Sequence, residues 1–175
     1  MGQTNSISQK NTDDAEESKA EPTKMIKQVD RFIYDPETDE IGSGVFATVY
    51  KGIDPTNNDK EVAIKRISKE IIQKYRDYQD LFLREINTLL QLEHPFCIKL
   101  EKAFRSDTGN FYFVTSFCNQ GDLAQLLKRR KTLTETEALT VVRQIAEAMN
   151  ALKGQSGVVF MHRDIKPATN LLHDG

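Results

Sequence analysis

Apolar residues are sparse over the first thirty positions, where Ser, Thr, Asn, Gln, Lys and acidic side chains surround Asp13-Asp14-Ala15-Glu16-Glu17. A segment of that composition has too little apolar surface to offset the entropy of ordering it, so residues 1–30 are expected to form a disordered tail. From Phe32 the apolar positions become periodic. Val62-Ala63-Ile64-Lys65 alternates with a period of two, which puts Ala63 and Lys65 on one face of a strand and Val62 and Ile64 on the other. As far as Phe117 the pattern predicts strand, strand, strand, helix, strand, strand. Turns are expected at Asp54-Pro55 with Asn57-Asn58-Asp59, and at Asp107-Thr108-Gly109-Asn110. The helix in this half is expected to end near Leu92, with Phe82, Ile86, Leu89 and Leu90 on its apolar side.

Beyond Gly121 the period changes to that of a helix. Asp122 is placed to cap a short helix through about Arg130. Thr134 stands three residues before Glu137, which is the spacing of a capping box. Leu139, Val142, Ile145, Met149 and Leu152 then recur on one helical face, and Gly154 offers a stop. A mostly β half is therefore followed by a helical half, an α+β arrangement.

Composition narrows the function. Of 175 residues, 24 are basic and 26 acidic, for a net charge of −2, which argues against nucleic acid as a partner. The apolar runs are all shorter than the ~18 residues a bilayer span needs, and Cys97 and Cys118 show no metal-ligand spacing. A cytoplasmic chain with two reduced thiols is expected. Met1-Gly2-Gln3-Thr4-Asn5-Ser6 fits the pattern for N-myristoylation of Gly2. One such chain would give only weak, peripheral membrane association.

The chemistry lies in three places. Ile41-Gly42-Ser43-Gly44-Val45-Phe46-Ala47-Thr48-Val49 reads as strand, glycine turn, strand, and such a turn lets backbone N–H groups approach phosphate oxygens. It follows Gly-x-Gly-x-x-Gly with Ala47 at the third glycine. Lys65 follows on the next strand, and Glu85 sits at the margin of the helix stripe, able to reach inward as its counter-charge. Finally, His162-Arg163-Asp164-Ile165-Lys166-Pro167 is followed by Thr169 and Asn170.

In this order Gly42, Gly44, Val49, Ala63, Lys65, Glu85, His94-Pro95 and His162-Arg163-Asp164 resemble the protein kinase family over residues 34–172. The resemblance implies a two-lobed kinase-like fold. Its small lobe, residues 31–118, is an antiparallel sheet with one helix, and residues 119–175 are the hinge end and the start of a truncated helical large lobe. It also implies ATP and Mg2+ as cofactors and a protein Ser or Thr hydroxyl as acceptor, because Lys166 resembles the serine/threonine branch. Asp164 would accept the hydroxyl proton and Lys166 would steady the γ-phosphate. Ile41, Gly42, Ser43, Gly44, Val49, Ala63, Lys65 and Leu171 would surround the nucleotide. Thr115 would be the gatekeeper, the backbone of Ser116 and Cys118 would meet the adenine edge, and Asp122 would meet the ribose. The family pattern wants Asn five places after the aspartate, where Thr169 stands, so no metal ligand is assigned. The sequence ends at Gly175, ahead of the expected Asp-Phe-Gly segment. An alternative to the enzyme is a non-catalytic kinase-like module that binds nucleotide or a partner.

Overall fold

A computed structural model of the chain describes residues 25–75, 86, 89–90, 92–154, 162 and 164–173. Seven strands form one antiparallel sheet: β1 (Lys27–Val29), β2 (Phe32–Tyr34), β3 (Glu40–Ser43), β4 (Thr48–Asp54), β5 (Lys60–Ile67), β6 (Leu100–Arg105) and β7 (Phe111–Ser116). The strand order is β1-β2-β4-β5-β7-β6, with β3 paired to β4 beside that path. Among the described residues three bounded helices accompany them: α1 (Lys69–Lys74), α2 (Leu123–Arg130) and α3 (Glu135–Gly154).

The two faces of the sheet build two cores. Val62 and Ile64 of β5 pack with Val29, Phe32, Tyr34, Tyr50, Tyr112 and Val114. The other face gathers Ile67, Ile72, Leu100 and Phe113, flanked by Ala47, Ile86, Leu89 and Ala103. That partition is the period-two alternation expressed in space. The sheet also curls until its edges approach. Phe32 of β2 lies 6.4 Å from Phe104 of β6, and Lys102 of β6 pairs with Asp30 in the β1–β2 turn. Arg31 Nε fastens the same turn to Asp54 Oδ2 at 2.7 Å.

Five strands precede α1 where three were expected from Phe32 onward. The additions are β1 and β2, three residues each and too short to display a period. β1 falls inside the stretch expected to be tail, and Val29 is buried there. Pairing of Lys27 with Tyr34 and Val29 with Phe32 supplies the burial that residues 25–30 lack by themselves. The turns fall as expected. Asp54 accepts from Thr56 N–H at the short 3₁₀ turn Pro55–Asn57, and Gly109, at φ 90°, closes the β6–β7 hairpin.

Of the helix expected to end near Leu92, the described residues include Ile86, Leu89 and Leu90 in helical conformation. Ile86 and Leu89 pack against the second core, whereas Leu90 is exposed and does not belong to the apolar side. In the helical half both caps form. Asp122 Oδ1 accepts from Gln125 N–H at 2.8 Å, and Glu137 Oε2 accepts from Thr134 N–H at 2.8 Å while Thr134 Oγ1 accepts from Glu137 N–H at 3.3 Å. The α3 stripe is covered unevenly. Leu152 is buried and Ile145 and Met149 are half-buried, but Leu139 and Val142 are 61% and 64% exposed.

Candidate functional site

Register explains which side chains meet. Val49 of β4 stands opposite Lys65 of β5, which stands opposite Phe113 of β7; Lys51, Ala63 and Thr115 are aligned in the same way. Directly paired residues share a face. Val49, Ala63, Lys65 and Thr115 therefore share one face, and the buried Ile64 and Val114 lie on the other. Lys65 is exposed, its Nζ 5.9 Å from the Phe113 ring centroid. The expected partner Glu85 lies outside the described residues.

The glycine turn projects from the edge of this face. Gly42 pairs with Val49 and Ser43 with Thr48, and the register shifts between Glu40 and Gly42, at Ile41. Gly44 N–H donates to Ala47 O at 2.9 Å and tightens the turn. A Cβ on Gly42 would meet nothing within 4 Å, and one on Gly44 would meet only Ala47 O at 3.8 Å. Neither glycine has positive φ. Their use is open space beside the backbone rather than an unusual conformation. Ile41, Gly42, Ser43 and Gly44 are all exposed. Ala47, at the position of the third glycine, spends its methyl on the second core. Phe46 at the turn tip stands edge-on to Tyr75, centroids 5.3 Å apart.

The segment after β7 crosses toward the helical half. Ser116 N–H donates to Lys99 O at 3.1 Å, and Ser116 Oγ donates to Glu101 Oε1 at 3.1 Å. Among the described residues no backbone hydrogen bond engages Cys118 N–H. Burial raises the Cys118 thiol above its ordinary pKa and keeps it neutral. Gly121, at φ 73°, makes the turn into α2, and a Cβ there would lie 2.2 Å from Gln125 Oε1. Asp122 uses one carboxylate oxygen as the α2 cap.

Backbone pairing ties residues 170–172 to residues 120–123. Leu123 N–H donates to Asn170 O at 2.9 Å, Leu172 N–H to Gly121 O at 2.8 Å, and Gln120 N–H to Leu172 O at 3.1 Å. Leu171, bridged to Asp122, is 52% exposed. An exposed leucine held beside the hinge end suits the apolar floor of a base site. Asp164 Oδ1 and Lys166 Nζ are 2.9 Å apart, with both side chains more than half exposed. Arg163 lies outside the described residues.

Thr169 has a role that the missing asparagine did not suggest. Its Oγ1 lies 2.7 Å from Asp164 O and 3.0 Å from Lys166 O as donor, and accepts from Lys166 N–H at 3.2 Å. This closes the 3₁₀ turn Pro167–Thr169 onto the backbone of the aspartate. Asn170 Nδ2 donates to Lys166 O at 2.7 Å, so that side chain is also turned into the loop. Among the described residues no group of three or more His, Cys, Asp or Glu side chains could hold a metal ion. The described residues around Asp164 do not form a magnesium site.

Gly52 is a second residue that pattern reading missed. A Cβ there would fall 2.4 Å from Ile64 Cδ1 and 2.9 Å from Ile33 O. A lone glycine inside a strand pattern was the available signal.

An open glycine turn stands beside an alanine and a lysine on one strand face, and an aspartate–lysine loop is joined to the start of α2. The sequence matches the protein kinase domain family over residues 36–175. It is 37% identical over 147 residues to the serine/threonine-protein kinase unc-51 of Caenorhabditis elegans, covering 84% of this chain and 17% of that protein. It is 34% identical over 153 residues to the serine/threonine-protein kinase ULK3 of Mus musculus, covering 87% of this chain and 30% of the relative. With the serine/threonine-protein kinase ULK1 of Homo sapiens the identity is 39% over 134 residues, 77% of this chain and 12% of that protein. The chain thus spans less than a third of the length of these relatives. The order of the motifs, the face that Val49, Ala63 and Lys65 share on a curled antiparallel sheet and the match across four-fifths of the sequence lead to one conclusion: this chain belongs to the protein kinase family.

Proposed function

We propose that this chain provides the nucleotide-binding lobe and catalytic loop of an ATP-dependent serine/threonine protein kinase. The observation that carries the reading is the shared face of Val49, Ala63 and Lys65 beside the open backbone of Gly42. A flat base fits against Ala63 and Val49 from above and Leu171 from below. Lys65 meets the phosphates as a compact cation, and turn N–H groups face the same anionic oxygens. The Cys118 N–H addresses the adenine edge, and the free oxygen of Asp122 addresses the ribose.

For transfer, the acceptor hydroxyl approaches Asp164. Its oxygen bonds to the γ-phosphorus, the bond from that phosphorus to the bridging oxygen breaks, ADP leaves, and the hydroxyl proton passes to the Asp164 carboxylate. Lys166, already beside Asp164, stands where negative charge spreads over the transferred group. The family uses magnesium for charge neutralisation, but the described residues form no site for it.

Protein Ser or Thr hydroxyls are the substrate class in this reading. Gly2, if myristoylated, adds weak membrane association, and the location is cytoplasmic with a peripheral membrane fraction. The commitment of the Thr169 hydroxyl to backbone favours a second reading, a kinase-like module that binds nucleotide without transferring phosphate.

Calorimetry of ATP binding tests the site. Lys65→Ala removes one charge-assisted contact, worth about 1.5–3 kcal/mol, and should weaken binding by roughly 10- to 150-fold. Equal affinity in the variant would refute the site. Phosphate transfer to a Ser/Thr peptide that disappears in Asp164→Asn supports the enzyme, while ATP binding without transfer supports the module.

A further inference from the structure

We infer that the C-terminal corner of α2 is a docking point for acidic residues of a protein substrate, at least about four residues from the hydroxyl presented to Asp164. This deepens the kinase reading and rests on it. Lys128, Arg129, Arg130 and Lys131 are consecutive and all exposed. Arg130 is engaged by Glu137 in two contacts, Nη1–Oε1 at 2.6 Å and Nη2–Oε2 at 3.1 Å. Glu135, in the first turn of α3, is the other carboxylate near in sequence. Among the described residues Lys128, Arg129 and Lys131 have no ion-pair partner, whereas Lys51, Lys60 and Lys102 on the sheet each pair with a carboxylate.

Cations in the last turn of a helix complement its dipole, and that alone accounts for Lys128, Arg129 and Arg130. It does not account for Lys131. This residue lies past the helix end at φ 69°, ψ −43°, with its N–H donating to Leu127 O at 2.8 Å. Glycine occupies such a helix-terminating position without strain, and lysine does not. A residue kept in a strained backbone conformation where glycine would serve points to a use for its side chain. Here the side chain adds a further cation to a corner already short of carboxylates.

The corner also stands at a defined remove from the point where α2 meets the segment that carries Asp164. The start of α2 is held to the catalytic-loop segment by the Leu123–Asn170 bond, and α2 packs on the turn Pro167–Thr169. Eight helical residues at ~1.5 Å each separate that anchor from the corner by ~12 Å. An extended peptide advances ~3.3 Å per residue and covers that distance in about four residues. Acidic side chains at that spacing or beyond meet Lys128, Arg129 and Lys131.

Fluorescence anisotropy on the full chain tests this, using one labelled peptide with Asp and Glu placed four to seven residues from its serine and a second with Asn and Gln there. The acidic peptide should bind at least tenfold tighter at low salt, with the gap closing as salt rises. Lys131→Gly should keep or raise the melting temperature while weakening acidic-peptide binding about two- to fivefold. Lys128→Glu with Arg129→Glu should abolish the preference. ATP binding measured in parallel should be unchanged in all variants. Equal affinity for both peptides in a chain that binds ATP overturns the docking point and leaves the kinase reading intact. Adsorption to phosphatidylserine vesicles without acidic-peptide binding assigns the corner to membrane instead and also overturns it. Failure of the wild type to bind ATP overturns the kinase reading, and the substrate assignment with it.

Discussion

Gly52→Ala adds one methyl to β4 and should be costly. The new Cβ would lie 2.4 Å from Ile64 Cδ1 and 2.9 Å from Ile33 O, against an ordinary separation of ~3.5–4.0 Å. Ile64 is fully buried between Tyr50, Val114 and their neighbours, so its terminal methyl has little room to retreat. Ile33 O is backbone on β2, which pairs with β4 at Ile33–Ile53. Overpacking of this kind costs about 1–3 kcal/mol. Loss of glycine's freedom in the unfolded chain returns about 0.4–1 kcal/mol. The net is a destabilisation of about 1–2 kcal/mol, or about 4–16 °C in melting temperature for a lobe of this size. Thermal unfolding followed by circular dichroism on the full chain measures it. Gly52→Ala combined with Ile64→Val relieves the contact with Cδ1. The double variant should be less unstable than the sum of the single changes, and the cost that remains belongs to the β2 carbonyl and to Ile64 Cγ1, which lies 3.2 Å from the new Cβ. A melting temperature equal to or above wild type in Gly52→Ala would refute the packing argument.

Three other outcomes follow from particular contacts. The Glu137 carboxyl is held at about 2, first by Arg130 and then by the backbone and hydroxyl of Thr134. Its support of α3 is therefore complete above the ordinary carboxylate value of 4.5 and is lost as pH falls toward 2, and Glu137→Gln should remove that step from an acid titration followed by NMR. Thr169→Val deletes the bonds to Asp164 O and Lys166 N–H, so hydrogen exchange across residues 164–170 should speed up at least tenfold, with Thr169→Ser restoring protection. Unchanged exchange would mean that the hydroxyl does not hold the loop. Leu139→Gln with Val142→Gln should reduce aggregated protein in light scattering and leave the melting temperature within a few degrees, because neither side chain is covered. A large fall in melting temperature would show that α3 packs through that face.

Much of the local structure around the candidate site is legible in the sequence. The alternation of Val62-Ala63-Ile64-Lys65 determined by itself which side chains share a face, since a strand has only two. Asp122, Thr134 and Glu137 marked the starts of two helices because a cap is a contact between residues two or three apart. The motif order from Gly42 to Asp164 was enough to recognise the family, which the match over residues 36–175 bears out. Tertiary structure decided what depends on residues distant in sequence. Val29 is buried because β1 finds β2 and the curled sheet brings Phe104 against Phe32, and neither three-residue strand announces that alone. Gly52 is required by Ile64 and Ile33, 12 and 19 positions away, so its sequence neighbours do not reveal the crowding. Thr169 read as a departure from a pattern, and only the folded turn shows its hydroxyl closing on Asp164 and Lys166. Local rules act through the chain's own period and short hydrogen bonds, whereas burial and backbone closure exist only once separate segments meet.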